Sequence, residues 1–162
     1  MRLGEGVEWA LHCCSVLGSL PPGVTLPGAR LAEFHDVPAS YLAKHLQALS
    51  NAGVVEPVTG RNGGYRLARP AGEITVLDVV LAVNGDEPAF RCSEIRQRGP
   101  SAIAPERYVQ PCGIARAMWD AESAWRASLR DVTIGDLVAD LGESVDPAQI
   151  DKAIDWMGAV LR

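Results

Sequence analysis

Apolar residues recur at helical spacing from the start of the chain: Val7, Leu11, Cys14 and Leu17 share one face and predict a helix over about residues 5–18. Pro21, Pro22 and Gly23 break it. A short helix follows in GARLAEFHD, with Leu31 and Phe34 turned inward. VPAS is a turn in which Pro38 suits a first helical turn and Ser40 caps or faces outward. YLAKHLQALSNAG is amphipathic: Leu42, Leu46 and Leu49 form the inner face, Lys44, His45 and Gln47 lie on open faces, and Gly53 ends the helix.

The period then changes. Two β-type runs, VVEPV and YRLAR, flank TGRNGG, whose glycines and asparagine tolerate the positive φ of a hairpin tip. EITVLDVVLAVNG returns to helix, capped by Thr75 and closed by Gly85. A polar stretch over residues 91–112 holds Pro100, Pro105 and Pro111 and forms neither one helix nor a core strand. A long helix over about residues 113–130 offers Ile114, Met118, Trp125 and Leu129 for one apolar seam, and Thr133 and Pro147 open two more helices. The fold class is mainly α with a small β-hairpin.

A short helix, a tight turn, an amphipathic helix and a glycine-tipped hairpin make a winged helix-turn-helix pattern. The second helix must be buried on its leucine face and polar on the other to enter a major groove. The hairpin tip must be small and basic to reach phosphates or the minor groove, and Arg61 and Asn62 fit that need. The alternative on pattern alone is an ordinary helical domain with a surface hairpin.

Composition narrows this only in part. The 162 residues are 48% apolar and 22% charged, enough for one ordinary core. No stretch approaches the roughly 18 apolar residues of a membrane helix, and no apolar run follows Arg2, so a cytoplasmic protein with reduced thiols is expected. The net charge of −5 argues weakly against nucleic acid, but it hides an asymmetry. Residues 40–69 carry net +3 (Lys44, Arg61, Arg66 and Arg69 against Glu56), while residues 131–155 carry net −6, seven acids against Lys152.

Tyr41-Leu42, Leu46, Leu49, Ala52-Gly53, Gly60-Arg61, Gly63-Gly64-Tyr65, Leu67-Ala68-Arg69-Pro70 and Glu73-Ile74-Thr75 together resemble the signature of the Rrf-two family of bacterial transcriptional regulators. The resemblance covers most of residues 1–130 and is most specific through 37–85. It implies a winged-helix homodimer, paired through a long dimerisation helix and bound to a two-fold DNA operator. The family's DNA contacts carry over to Ser40, Tyr41 and Lys44 on the recognition helix, and to Arg61, Asn62, Gly63 and Gly64 at the wing. The implied division is a winged helix-turn-helix domain over 1–85, a cluster-binding loop over 86–112, a dimerisation helix over 113–131 and a helical extension over 132–162.

Many members of that family hold an iron–sulfur cluster on three closely spaced cysteines before the dimer helix. This sequence departs from the pattern, with only Cys92 and Cys112 in its loop and 19 residues between them. Two thiolates cannot saturate a cluster that needs four protein ligands. Cys14 shares the apolar face of the first helix and reads as a small buried thiol, whereas Cys13 is open to either reading. Glu8 and His12 stand i,i+4 on that helix, so their side chains either converge on one metal centre or form a solvated surface pair. In the resembled family an acidic residue of the first helix is a ligand supplied by the other subunit. Cys92, Cys112, Glu8 and His12 then complete four ligands for a 2Fe-2S cluster, one per subunit and two per dimer, whose reduction changes DNA affinity.

Histidine in place of thiolate raises a cluster's reduction potential, and a less negative site accepts an electron more readily. Trp9, beside Glu8, is either plain core or a redox-linked neighbour that repacks. Arg91, Glu94, Arg96 and Arg98 are expected on the outer surface of a flexible loop, and the acidic tail is expected to pack on the dimer helix. A zinc site on the same donors, or a cluster-free regulator with a reactive thiol, stays open. An enzyme is not expected: the chain has no C-x-x-C, no nucleotide-binding glycine loop outside the wing and no nucleophile–base pattern.

Overall fold

A computed structural model describes residues 3–60 and 63–161. In chain order the elements are α1 (Glu5–Ser19), α2 (Gly28–Phe34), α3 (Ala39–Asn51), β1 (Val55–Val58), β2 (Gly64–Leu67), α4 (Val76–Asn84), α5 (Gly113–Arg130), α6 (Ile134–Ser144) and α7 (Pro147–Val160). Arg61 and Asn62, at the expected hairpin tip, lie outside the described residues.

The leucine faces do what their spacing requires. Leu31 from α2 and Leu42, Leu46 and Leu49 from α3 are buried together with Ala10, Cys13, Cys14 and Leu17 of α1. Val54, Val55 and Ile74 close this core from the hairpin side, and Ile134 of α6 seals it. A second, smaller cluster joins Val7 of α1 and Val76 and Val80 of α4 to Trp125 and Leu129 of α5.

β1 and β2 pair antiparallel with Val55 opposite Leu67 and Val58 opposite Gly64. Leu26 adds a third rung from the α1–α2 linker by exchanging two backbone hydrogen bonds with Tyr65, at 3.0 and 2.9 Å. A side-chain carbon at position 64 would stand 2.6 Å from the Leu26 carbonyl oxygen, so only glycine lets the wing approach this linker. Thr75 and Asp78 form a reciprocal capping box at α4, and Thr133 and Asp136 form another at α6.

Three expectations need correction. The loop between Cys92 and Cys112 is not a flexible strap; it carries 3-10 turns at Ile95–Gln97 and Pro105–Arg107 and its own hydrogen-bond network. The acidic tail is not laid along α5 as a whole: Leu137 of α6 shares the smaller cluster with Trp125 and Leu129, but α7 packs elsewhere. Trp156 of α7 lies tilted against Phe34 of α2, ring centroids 5.1 Å apart, and Met157 and Val160 pack against the main core. The α5 seam is divided: Trp125 and Leu129 pack within the chain, whereas Ile114 is 68% and Met118 42% exposed.

Candidate nucleic-acid interface and metal half-sites

The helix expected to read DNA presents the expected residues. Ser40, Tyr41 and Lys44 are all exposed on the first turns of α3, opposite its buried leucines. The Lys44 ammonium sits 5.2 Å from the centre of the Tyr41 ring, an arrangement that holds a cation at the helix surface. Gln47 is exposed too, hydrogen-bonded to Asn51 at 2.8 Å. His45 does not face outward as the helical spacing suggested. Its ring is half-buried against α1, edge-on to Trp9, over Gly6.

At the wing, Gly63 and Gly64 are half-buried. A side chain at 63 would meet the carbonyl oxygens of Val58 and Gly60 at 2.7 and 2.9 Å, so Gly63 serves the turn's own geometry, as Gly64 serves the approach to Leu26. Arg66 pairs with Glu56 across the strands. Arg69 donates to the carbonyls of Glu73 and Gly53 at 2.8 and 3.4 Å and pairs with Asp78 at 3.2 Å. Two of the four cations that make this region basic are therefore tied to carboxylates.

The cysteines fall into two classes. Cys13 and Cys14 are fully buried on α1; burial pushes the Cys13 thiol up to about 12 and the Cys14 thiol further up. Cys92 is exposed and Cys112 half-buried, at the two ends of the loop. The Cys92 Sγ accepts a hydrogen bond from the Glu94 amide at 3.4 Å, made possible by the left-handed backbone of Glu94 (φ 47°).

Arg96 organises the rest of the loop. Its Nε and Nη2 donate to both Glu94 carboxylate oxygens at 2.5 and 2.7 Å, and Nη2 also donates to the Gln110 carbonyl at 3.0 Å. The guanidinium lies 5.1 Å from the Tyr108 ring centre, and the Tyr108 hydroxyl donates back to the Arg96 carbonyl at 2.6 Å. Glu94 and Arg96 are thus drawn inward, with side chains 27% and 36% exposed, rather than left on the loop's outer surface. The hydrogen bonds from Arg96 hold the Glu94 carboxyl below the usual carboxylate range. Arg96 is raised in turn, first by those bonds, and the nearby Cys112 thiol adds to the effect.

Glu8 and His12 are both exposed on α1 and border one shallow hollow with Leu3, Val7 and Leu11. The His12 ring lies 5.5 Å from that of His35, at the end of α2. Among the described residues the buried His35 Nε2 finds no hydrogen-bond partner, and burial, followed by the proximity of His12, lowers the proton affinity of the His35 ring. Among the described residues of one chain, no three His, Cys, Asp or Glu side chains converge to hold a metal. The four candidate donors therefore lie in two places: Cys92 and Cys112 at the ends of the loop, and Glu8 and His12 along one hollow on α1. The loop thus carries soft sulfur donors, and α1 carries harder oxygen and nitrogen donors.

The comparisons with known proteins agree with this architecture. A family model described as "Rrf2: Iron-dependent Transcriptional regulator" matches residues 3–140. YwgB of Bacillus subtilis, whose name places it among HTH-type transcriptional regulators, is 28% identical over 157 residues, covering 97% of this chain and 95% of its own. Protein aau3 of Rhizobium meliloti is 41% identical over 108 residues, 67% of this chain and 66% of its own. Among solved structures, CymR, the global cysteine regulator of B. subtilis, superposes with a TM-score of 0.68 at 19% identity over 86% of this chain and 97% of that one. IscR of T. potens gives 0.67 at 18% identity over 90% and 92%. Likeness at those identities speaks for the fold.

Proposed function

The chain belongs to the Rrf2 (Rrf-two) family of DNA-binding transcriptional regulators, and from that premise we propose that it senses redox state through a 2Fe-2S cluster held by Cys92 and Cys112 of one subunit and Glu8 and His12 of its partner. Its relatives are transcriptional regulators, not enzymes. In this proposal a cytoplasmic homodimer, paired through α5 over residues 113–131, presents the 1–85 domains to a two-fold operator. The loop 86–112 and the partner's α1 hold one cluster per subunit, and 132–162 extends each subunit. Ser40, Tyr41 and Lys44 enter the groove; Arg61 and Asn62, with Gly63 and Gly64 shaping the turn, bring the wing to the backbone.

The observation that carries it is the division of donors. The loop offers two thiols and α1 offers a carboxylate and an imidazole, on separate accessible surfaces of one chain. When bound, such a cluster supplies a one-electron redox change at a site less negative than a four-thiolate one. The chain's own residues do the rest. The Glu94 amide already donates to the Cys92 sulfur and so helps to orient it. Trp9, one residue after Glu8, touches His45 of the recognition helix, and His12 touches His35 before the turn into it. A shift of α1 therefore has packed contacts through which to reach α3.

Anaerobically purified protein is expected to be coloured and to contain iron and acid-labile sulfide, with a two-iron electron paramagnetic resonance signal after reduction. Glu8→Ala and His12→Ala are each expected to lose the cluster. Colourless wild type without iron, or a full cluster in both variants, would overturn the assignment, and stoichiometric zinc would identify a zinc site. The exposure of Cys92 supports one second reading, a cluster-free regulator whose Cys92 thiol is itself the sensor. For the wing, Arg61→Ala is expected to weaken operator binding and flatten its salt dependence.

A further inference from the structure

We propose that Arg96 is a positioning residue: it clasps the two ends of the cysteine loop and so presets the separation of Cys92 and Cys112 before any cluster binds. The inference rests on the cluster assignment above for its purpose, but its geometry stands on the loop alone.

The loop closes a span of 19 residues between its cysteines, with three prolines and no regular element longer than a 3-10 turn. Left to itself, such a segment samples many end-to-end distances, and the entropy of closing it opposes bringing two thiols to one iron. One side chain removes much of that freedom. The Arg96 fork grips Glu94, two residues after Cys92, and the same guanidinium grips the Gln110 carbonyl, two residues before Cys112. The Tyr108 ring backs the guanidinium, and its hydroxyl ties down the Arg96 carbonyl and accepts the Ile103 amide at 3.1 Å. The loop's two ends thus meet on one planar cation, and Tyr108 ties its middle to them.

Glu94 supports the same conclusion from the other side. It is a non-glycine residue in left-handed backbone, a conformation that persists only where surrounding bonds hold it. Its carboxylate is held by Arg96 and its amide is aimed at the Cys92 sulfur. Lysine at position 96 keeps the charge, but it has no fork with which to hold Glu94 and Gln110 in a fixed geometry.

The test uses the full-length apo-protein and a short bismaleimide that bridges two thiols. Cys13 and Cys14 are buried, so Cys92 and Cys112 are the accessible pair among the four. In the wild type, mass spectrometry is expected to find mostly the bridged Cys92–Cys112 product. In Arg96→Ala and Arg96→Lys the ratio of bridged to doubly singly-modified chain is expected to fall roughly tenfold, as the effective concentration of one thiol about the other drops. Glu94→Gln, a milder change that keeps one acceptor, is expected to fall in between, and it decides the matter if Arg96→Ala does not fold. Unchanged bridging in Arg96→Ala, or full bridging in Arg96→Lys, would overturn the clasp.

In cluster-loaded protein the reduction potential is expected to become more negative in Arg96→Ala and to recover in Arg96→Lys, which restores the charge but not the spacing. A wild type without iron or sulfide would defeat the cluster assignment and leave the bridging result to decide the clasp. A loaded wild type with unchanged bridging in Arg96→Ala would defeat the clasp alone.

Discussion

Trp9 of α1 and His45 of α3 meet edge to face, with ring centroids 6.0 Å apart and planes at 77°. The histidine sits on α3 yet belongs to the core side of it. Directly above lies Gly6, where any Cβ would overlap the His45 ring. The first turn of α1 and the middle of α3 are therefore fitted to each other through one glycine, one indole and one imidazole.

Filling that clearance is expected to displace α3. Gly6→Ala should destabilise the fold by about 1–3 kcal/mol, the usual cost of overpacking, and weaken operator binding. Adding His45→Ala to Gly6→Ala should restore most of both, because the clashing ring is gone. Thermal melts and binding titrations of the two variants check this; a Gly6→Ala protein with unchanged melting and affinity would show that the contact carries no constraint.

The cations of the proposed DNA-binding face are expected to differ in worth. Lys44 is exposed beside Tyr41, whereas Arg66 is paired with Glu56. Lys44→Ala should lower operator affinity by roughly tenfold near 0.1 M salt and reduce the salt slope by about 1, the signature of one lost phosphate contact. Arg66→Ala should change the slope far less. Equal slopes for both variants would mean that the Glu56 pair opens on binding.

Thiol reactivity should sort the four cysteines by place rather than by number. A maleimide added to native apo-protein at neutral pH is expected to label Cys92 and then Cys112. Cys13, its thiol pushed up to about 12 by burial, and Cys14 beside it should react only after unfolding. Peptide mapping of native and denatured samples reads this directly, and rapid native labelling of Cys13 would contradict the packing of α1.

The capping box at α6 sets an acid limit. Asp136 lies below its ordinary value, first because the Thr133 hydroxyl donates to it at 2.6 Å and then through the Thr133 amide at 2.8 Å. A carboxyl depressed in the fold contributes stability above its ordinary value and loses it as the pH falls through the folded one. Thr133→Ala should cost about 1 kcal/mol at neutral pH and flatten the fall in stability below pH ~4. Denaturation curves at neutral and acid pH test it; parallel losses in both proteins would remove Asp136 from the account.

The regular parts of the fold were legible because periodicity records which face is buried. Leu42, Leu46 and Leu49, the Thr75 cap and the Val55–Leu67 hairpin all announce themselves over a few residues. Contacts made by single residues between distant segments do not. The rung from Leu26 to Tyr65 has no strand pattern around it, and Gly64 looks like any turn glycine until Leu26 is seen against it. His45 is polar and sits among polar neighbours, so a helical wheel turns it outward; Gly6 and Trp9 turn it in. For Arg96 the only local signal was its acid neighbour Glu94, since Tyr108 and Gln110 come from the far end of an aperiodic loop. Glu8 and His12 are visible as a pair through their i,i+4 spacing, whereas the contact of His12 with His35 joins separate helices and leaves no local pattern.

The division of α5 bears on the order of events in the life of the chain. Trp125 and Leu129 are anchored at home, on Val7, Val76 and Val80, while Ile114 and Met118 stay bare. The rear of the helix is satisfied by the protein's own core, so a single subunit has a finished hydrophobic centre of its own. In the proposed homodimer, pairing is then a second, bimolecular step whose extent follows subunit concentration, so the cell's supply of this protein becomes one of the variables that such a regulator reports.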